Sequence, residues 1–302
     1  MRNARRQALN FVPMTGSLRL HAPTALEYFA SLVAEDASFA VAEAALSIAQ
    51  DDYPALDCQS ILAEIDAMAA RLKSRIPSDA APMQRLRLLN RFFFQELGFA
   101  GNVNDYYDAK NSYLHFVLQS RRGIPITLAI LYVEIASQIG LHASGVSFPG
   151  HFLVKLRMPQ GEVVIDPFTG QSMSREALDA LLVPLRRREG IPGSSSVSLA
   201  LFLQAASPRE IIARMLRNLK EIHRSAEDWT RLHAVAQRLV ILLPGAWEER
   251  RDRGLAAAQL GAVKAAVADL SSYLENVPHA GDRFAINERL LELGHGDPSR
   301  LH

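Results

Sequence analysis

Apolar residues recur three and four positions apart through Ala25 to Phe29, Phe39 to Ala49, Ile61 to Leu72 and Met83 to Leu97, so the N-terminal third reads as amphipathic helices. Pro54, Pro77 and Pro82 break them. From Ile126 to Ile139 apolar residues occupy nearly every face, with Thr127, Glu134, Ser137 and Gln138 the polar exceptions, which predicts a helix buried all round. Strands follow around Ala143 to Val146, Phe152 to Leu156 and Val163 to Ile165, the last two joined through a Pro159-Gln160-Gly161 turn. Beyond a loop-like stretch, Gly190 to Ser196, the pattern is helical again: Pro208 to His223, Trp229 to Leu243, Trp247 to Leu260 and Val263 to Asn276.

The expected class is therefore α+β, with a small antiparallel sheet between a helical N-terminal part and an all-α C-terminal domain. Expected bounds are 1–84 for helices packed on the core, 85–190 for the core, 191–207 for a linker and 208–302 for the C-terminal helices. Pro244 and Pro278 each end a helical run, and they stand about one tetratricopeptide length apart, with Gly254, Gly261 and Ala266 between them. Arg209 to Pro244 reads as a degenerate second unit. A pair of such units cannot bury its apolar faces alone, so it should lean on the core. Repeats of this kind present a groove to proteins or peptides; the alternative is an ordinary helical cap.

Composition narrows the function. A hydrophobic fraction of 49% over 302 residues supports a full core, and 33 basic against 32 acidic residues create no field to attract nucleic acid or an anionic membrane. Arg186-Arg187-Arg188 is the densest basic run and reads as a solvated loop. The basic stretch Met1 to Gln7 is not followed by an apolar segment of signal-peptide length, and no run spans a bilayer, so a soluble cytoplasmic protein is expected. Cys58 is the only cysteine; it has no partner for a disulfide and no histidine nearby in sequence. No cofactor and no metal site is expected. The crowded polar stretch Asn102 to Asn111 either carries a site or simply forms turns.

Four blocks occur in order: Asn111-Ser112-Tyr113-Leu114, Arg121-Arg122-Gly123-Ile124-Pro125-Ile126-Thr127, Pro149-Gly150-His151-Phe152 and Asp166-Pro167-Phe168. Together they resemble the SirB1 family of bacterial transglutaminase-like proteins over roughly residues 85 to 170. The resemblance implies a papain/transglutaminase-like core in which a thiol opens a helix, served by a His and then an Asp on later strands. By that spacing Pro125 holds the position of the cysteine, while His151 and Asp166 hold those of its partners. Proline has no heteroatom to attack with and no N–H to donate to an oxyanion, although it suits a first helical position well. Thr127 lies about 200° further around the helix axis and is a poor replacement.

His151 and Asp166 share a sheet face only if the hairpin register has the right parity. They then form a remnant catalytic pair; otherwise His151 is a buried histidine and Asp166 a turn residue. Two functions follow. In the first, the chain is a noncatalytic module that binds a protein or peptide, its former cleft lined by Asn104, Tyr107, Asn111 and His151. In the alternative, a hydrolase or acyl transferase uses His151 and Asp166 with a nucleophile other than cysteine. The missing thiol favours the first, so the enzyme reading is the weaker.

Overall fold

The computed structural model describes residues 23–35, 39–188 and 199–295; the basic segment Met1 to Gln7 and the stretch Gly190 to Ser196 lie outside them. The N-terminal helices are α1 (Ala25–Leu32), α2 (Val41–Ile48), α3 (Cys58–Lys73) and α4 (Pro82–Asn90), the last running into a π-type turn, Arg91–Glu96. Proline opens α4, and the Asp57 carboxylate caps α3 by accepting from the amides of Gln59 and Ser60. The seven-residue helix α5 (Leu114–Ser120) is too short for periodicity to reveal, and it ends at Arg121 in the left-handed region.

Next comes α6 (Pro125–Gln138), whose all-round apolar sequence finds its reason in the packing. Leu128, Leu131, Tyr132, Ile135 and Ala136 are wholly enclosed. Helices α2, α3 and α5 surround α6 on one side and a sheet covers the other. Two strand pieces, β1 (Ala100–Gly101) and β2 (Arg122–Gly123), pair in parallel just before it. The sheet itself is antiparallel, in the order β3 (His142–Val146), β4 (Leu153–Met158), β5 (Gly161–Asp166) and β6 (Gln171–Ser172). Met158 pairs with Gly161 across Pro159 and Gln160, so the expected Pro159-Gln160-Gly161 turn is two residues long, and Gly161, the first residue of β5, supplies the positive φ of 136°.

Alternate residues of the sheet serve two cores. Phe152, Val154, Leu156 and Ile165 join the one around α6. Leu153 and Val164 turn the other way, onto Phe148, Leu178 and Leu182 beneath α7 (Arg175–Leu181) and α8 (Val183–Arg188). The basic run 186–188 lies in α8 rather than a loop, and Arg186 pairs with Asp179 at 3.2 Å.

The span 191–207 is not a free linker throughout. Residues 199–202 form α9 (Leu199–Phe202), and Leu199, Phe202 and Leu203 pack on the outer sheet core. Ala206 N–H donates to Gly145 O at 2.9 Å, continuing the β3 edge. Those apolar side chains gain by burial, which loop composition upstream conceals.

The remaining helices are α10 (Pro208–Ser225), α11 (Trp229–Leu242), α12 (Trp247–Gln259), α13 (Val263–Asn276) and α14 (Arg283–His295). Ile212, Met215, Leu216 and Leu219 of α10 and Leu239 and Leu242 of α11 lie in the same core as α6, whereas α12 to α14 build their own around Leu270, Tyr273 and Ile286. Gly254 lets α12 and α13 meet: a Cβ there would stand 2.9 Å from Asp269 Cβ. The first repeat-like pair thus leans on the core.

Candidate functional site

Ile124 precedes α6 in extended backbone, φ −91° and ψ 165°, and Pro125 takes the first helical position. Its missing N–H breaks no helical hydrogen bond there, yet no nucleophile stands at the helix start. The neighbouring hydroxyl is already committed. Thr127 Oγ1, fully buried, lies 2.9 Å from the Asn111 carbonyl and 3.0 Å from that of Ile124, and shares its one proton between them. Gly123 is required beside it, because a Cβ would approach Thr127 Oγ1 to 2.8 Å. The one thiol, Cys58, is buried at the start of α3. Burial first, then Glu43 and Asp57, push its pKa up, the reverse of what an activated nucleophile needs.

Three of the four sequence blocks converge on this helix start. Asn102 N–H donates to Gly123 O at 3.0 Å, and Gly101 N–H to Phe168 O at 2.9 Å. The Phe168 ring lies where a Gly101 Cβ would be, 2.3 Å away, so only glycine allows the contact. Asn111 closes the polar loop on itself: its Nδ2 donates to Asp105 O at 2.6 Å and its Oδ1 accepts from Asn102 Nδ2 at 3.0 Å. It is buried, and its amide is spent on the loop rather than offered to a ligand. Asp108 caps Lys110 N–H at 2.9 Å. Tyr113 O–H donates to Asp52 at 2.8 Å, so that block too serves the fold.

The register of β4 and β5 sets Val154 opposite Ile165, which puts Asp166 across from Leu153, on the face turned away from α6. His151 precedes Leu153 by two residues, so the parity suits a shared face. No hydrogen bond joins them, however. Asp166 Oδ1 accepts from Phe168 N–H at 2.9 Å and Oδ2 from Thr169 Oγ1 at 3.0 Å; the carboxylate shapes its own turn. His151 is half-buried after Gly150, whose φ is 72°, and its backbone N–H donates to Phe148 O at 3.0 Å. Its imidazole makes no hydrogen bond among the described residues.

A cavity of about 590 Å³ opens against the helix start, lined by Tyr106, Tyr107 and Ile124 on one side and by Asn218, Glu221 and Ile222 of α10 on the other. Tyr107 is 78% exposed and Tyr106 43%, so two aromatic rings stand at its mouth. Of the four residues expected to line a cleft, only Tyr107 does so. Asn104 is exposed on the loop, Asn111 is buried within it, and His151 lies outside the lining. Tyr106 belongs to the crowded stretch Asn102 to Asn111, but Ile124 and the α10 residues carry no local sequence signal, because a helix far along the chain supplies half the wall. Arg214 of that helix holds the turn before His151, its Nη1 lying 2.8 Å from Ser147 Oγ and 3.2 Å from Phe148 O. Among the described residues no cluster of three or more His, Cys, Asp or Glu side chains is arranged to hold a metal ion.

This arrangement is that of a transglutaminase-like core closed by repeat helices, and comparison with known proteins agrees. The family model described as "Transglutaminase-like superfamily" matches residues 59–217, and a tetratricopeptide repeat model matches 219–291. The "UPF0162 protein" of Xylella fastidiosa is 36% identical over 261 residues, covering 86% of this chain and 92% of the relative. In Pseudomonas aeruginosa the "UPF0162 protein PA3419" is 31% identical over 264 residues, 87% and 94% of the two chains. The "UPF0162 protein YchA" of Escherichia coli is 27% identical over 248 residues, 81% and 88%. The chain belongs to the UPF0162 family of transglutaminase-like proteins. The two models meet inside α10, the helix that serves both the core and the repeats.

Proposed function

We propose that this chain is a noncatalytic, SirB1-type transglutaminase-like protein that binds a protein or peptide partner in the cavity between Tyr106, Tyr107, Ile124 and α10. The observation that carries the reading is Pro125 at the head of α6, with the hydroxyl of Thr127, two residues on, spent on two carbonyls. The cavity supports a binding role: its volume of about 590 Å³ lies in the range of ligand sites, and exposed tyrosines are favoured contact residues. Tetratricopeptide repeats point to protein partners. None of the described helices is long and apolar enough to cross a membrane, and a single buried thiol suits the cytoplasm.

The competing reading, a hydrolase or acyl transferase working through His151, draws support from an imidazole that is half-buried and holds no hydrogen bond among the described residues. A peptide-array screen with wild type, Tyr107→Ala and His151→Ala separates the two. Tyr107→Ala should lose the bound peptides with its melting temperature unchanged, since a surface substitution shifts stability by only about 0.5 kcal/mol. A Tyr107→Ala protein that stays folded and keeps every peptide would refute the cavity as the binding site.

A further inference from the structure

A second groove, of about 980 Å³, lies toward the N-terminal end of α10, between that helix and the turn from α11 to α12. Its accessible apolar lining is Leu243, Pro244 and Ala246, and its rim carries Arg209, Arg214 and Arg217. Arg214 and Arg217, three positions apart, share one side of the helix. Arg217 is half-exposed, with its Nε 2.7 Å from Glu249. Arg209 is turned inward, donating to the carbonyls of Leu242 and Val33. Glu210, the one carboxylate of the lining, is occupied in capping, accepting from Ser207 N–H at 2.7 Å and Ser207 Oγ at 2.8 Å.

Arg214 is the unusual member. It is partly buried, its guanidinium lies 5.6 Å from the centre of the Phe152 ring, and its Nη1 reaches only a hydroxyl and a carbonyl. Among the described residues no carboxylate pairs with it, and its Nε and Nη2 donate to nothing. Burial lowers its pKa, the direction for a cation short of compensating charge. A guanidinium in that condition gains most from an incoming anion with two acceptor oxygens.

We propose that this groove binds an acidic peptide segment, with carboxylates on Arg214 and Arg217 and intervening apolar side chains on Leu243, Pro244 and Ala246. The apolar lining between charges selects a peptide over a nucleic acid, whose charge would lie along a continuous backbone. The groove shares no lining residue with the tyrosine-lined cavity, so a Tyr107→Ala variant tests that cavity and the arginine variants test this groove.

Fluorescence anisotropy with a short fluorescein-labelled peptide of glutamate and leucine, against a control of glutamine and leucine, tests this on the full chain. The acidic peptide should bind saturably and the control should not. Arg214→Gln should weaken binding about tenfold or more, as loss of a charge-assisted hydrogen bond does, and Arg214→Lys should restore part of it. Because Arg214 is partly buried, half-exposed Arg217→Gln provides a second variant that should weaken binding with the fold intact. Equal binding of the control peptide, unchanged affinity in both glutamine variants, or displacement of the peptide by inorganic phosphate or single-stranded DNA would each overturn the proposal.

Discussion

The Thr127 hydroxyl and the Asn111 carbonyl, 2.9 Å apart, fasten the buried start of α6 to the end of the polar loop 102–111. Replacing Thr127 by valine keeps the shape and leaves that carbonyl without its donor. An unsatisfied buried acceptor costs about 1–3 kcal/mol. Thr127→Val should lower the urea midpoint accordingly, while Thr127→Ser should retain most of the stability; equal stability of the valine variant and wild type would show that the hydrogen bond does not hold the loop.

Arg238 of α11 is wholly buried, and its Nη2 and Nε lie 2.6 and 2.8 Å from the carboxylate of Asp51. It also lies over Phe29, so one side chain joins the last repeat-like helix of the main core to the N-terminal helices. Removing the partner strands a buried charge. Asp51→Ala should cost about 3 kcal/mol or more, measured by equilibrium unfolding. Arg238→Met, which fills the space and removes the charge, should cost less, and the double variant should be less destabilised than the two single effects added together.

Two buried histidines set a pH dependence. Burial lowers the pKa of both His115 and His223; Asp228 and Asp52 oppose the effect at His223, while Arg231 adds to it. The unfolded chain therefore binds more protons than the folded one just below the ordinary histidine pKa, about 6.5. Stability should be full above that pH and fall as the pH drops below it. The carboxylates of Asp252 and Asp282 are held below their usual range: burial acts against this at both, outweighed by Lys220 and Arg251 at Asp252 and by Tyr273 and Arg251 at Asp282. Their contribution is lost only at lower pH, below about 4. His115→Phe, which keeps a ring against Tyr53 and Phe116, should flatten the slope of stability between about pH 5 and 6.5; an unchanged slope would contradict the assignment.

At Gly101 the Phe168 ring leaves no room for a Cβ. Gly101→Ala should cost about 1–3 kcal/mol by overpacking, and it should disturb the loop that carries Tyr106, whose ring lies 5.9 Å from that of Phe168. Thermal melting and intrinsic tyrosine fluorescence would register both effects; an alanine variant with wild-type stability would mean that the ring can shift freely.

Much of this was legible in the sequence, and the failures have physical reasons. The unbroken apolar face of Ile126 to Ile139 revealed a central helix because nothing but full burial explains it. Pro159 and Gly161 marked the hairpin because only particular residues suit such a turn. Asn111 misled, since an amide in a loop serves a ligand or its own backbone equally well, and here Asp105 and Tyr106 receive it. Asp166 was ambiguous for the same reason, and its oxygens face Phe168 and Thr169. Arg214 and Ile222 were invisible as site residues because their place depends on α10 crossing the core, a relation between distant segments that no local pattern records.

The central claim is that Pro125 leaves a binding site without chemistry, and turnover tests it most directly. Wild type, His151→Ala and Cys58→Ser should be assayed with glutamine-amide, ester and peptide substrates under one protocol, with folding confirmed by melting. The account predicts no acyl transfer or hydrolysis above background in any of the three. Turnover by wild type that disappears in a folded His151→Ala or Cys58→Ser protein would contradict it.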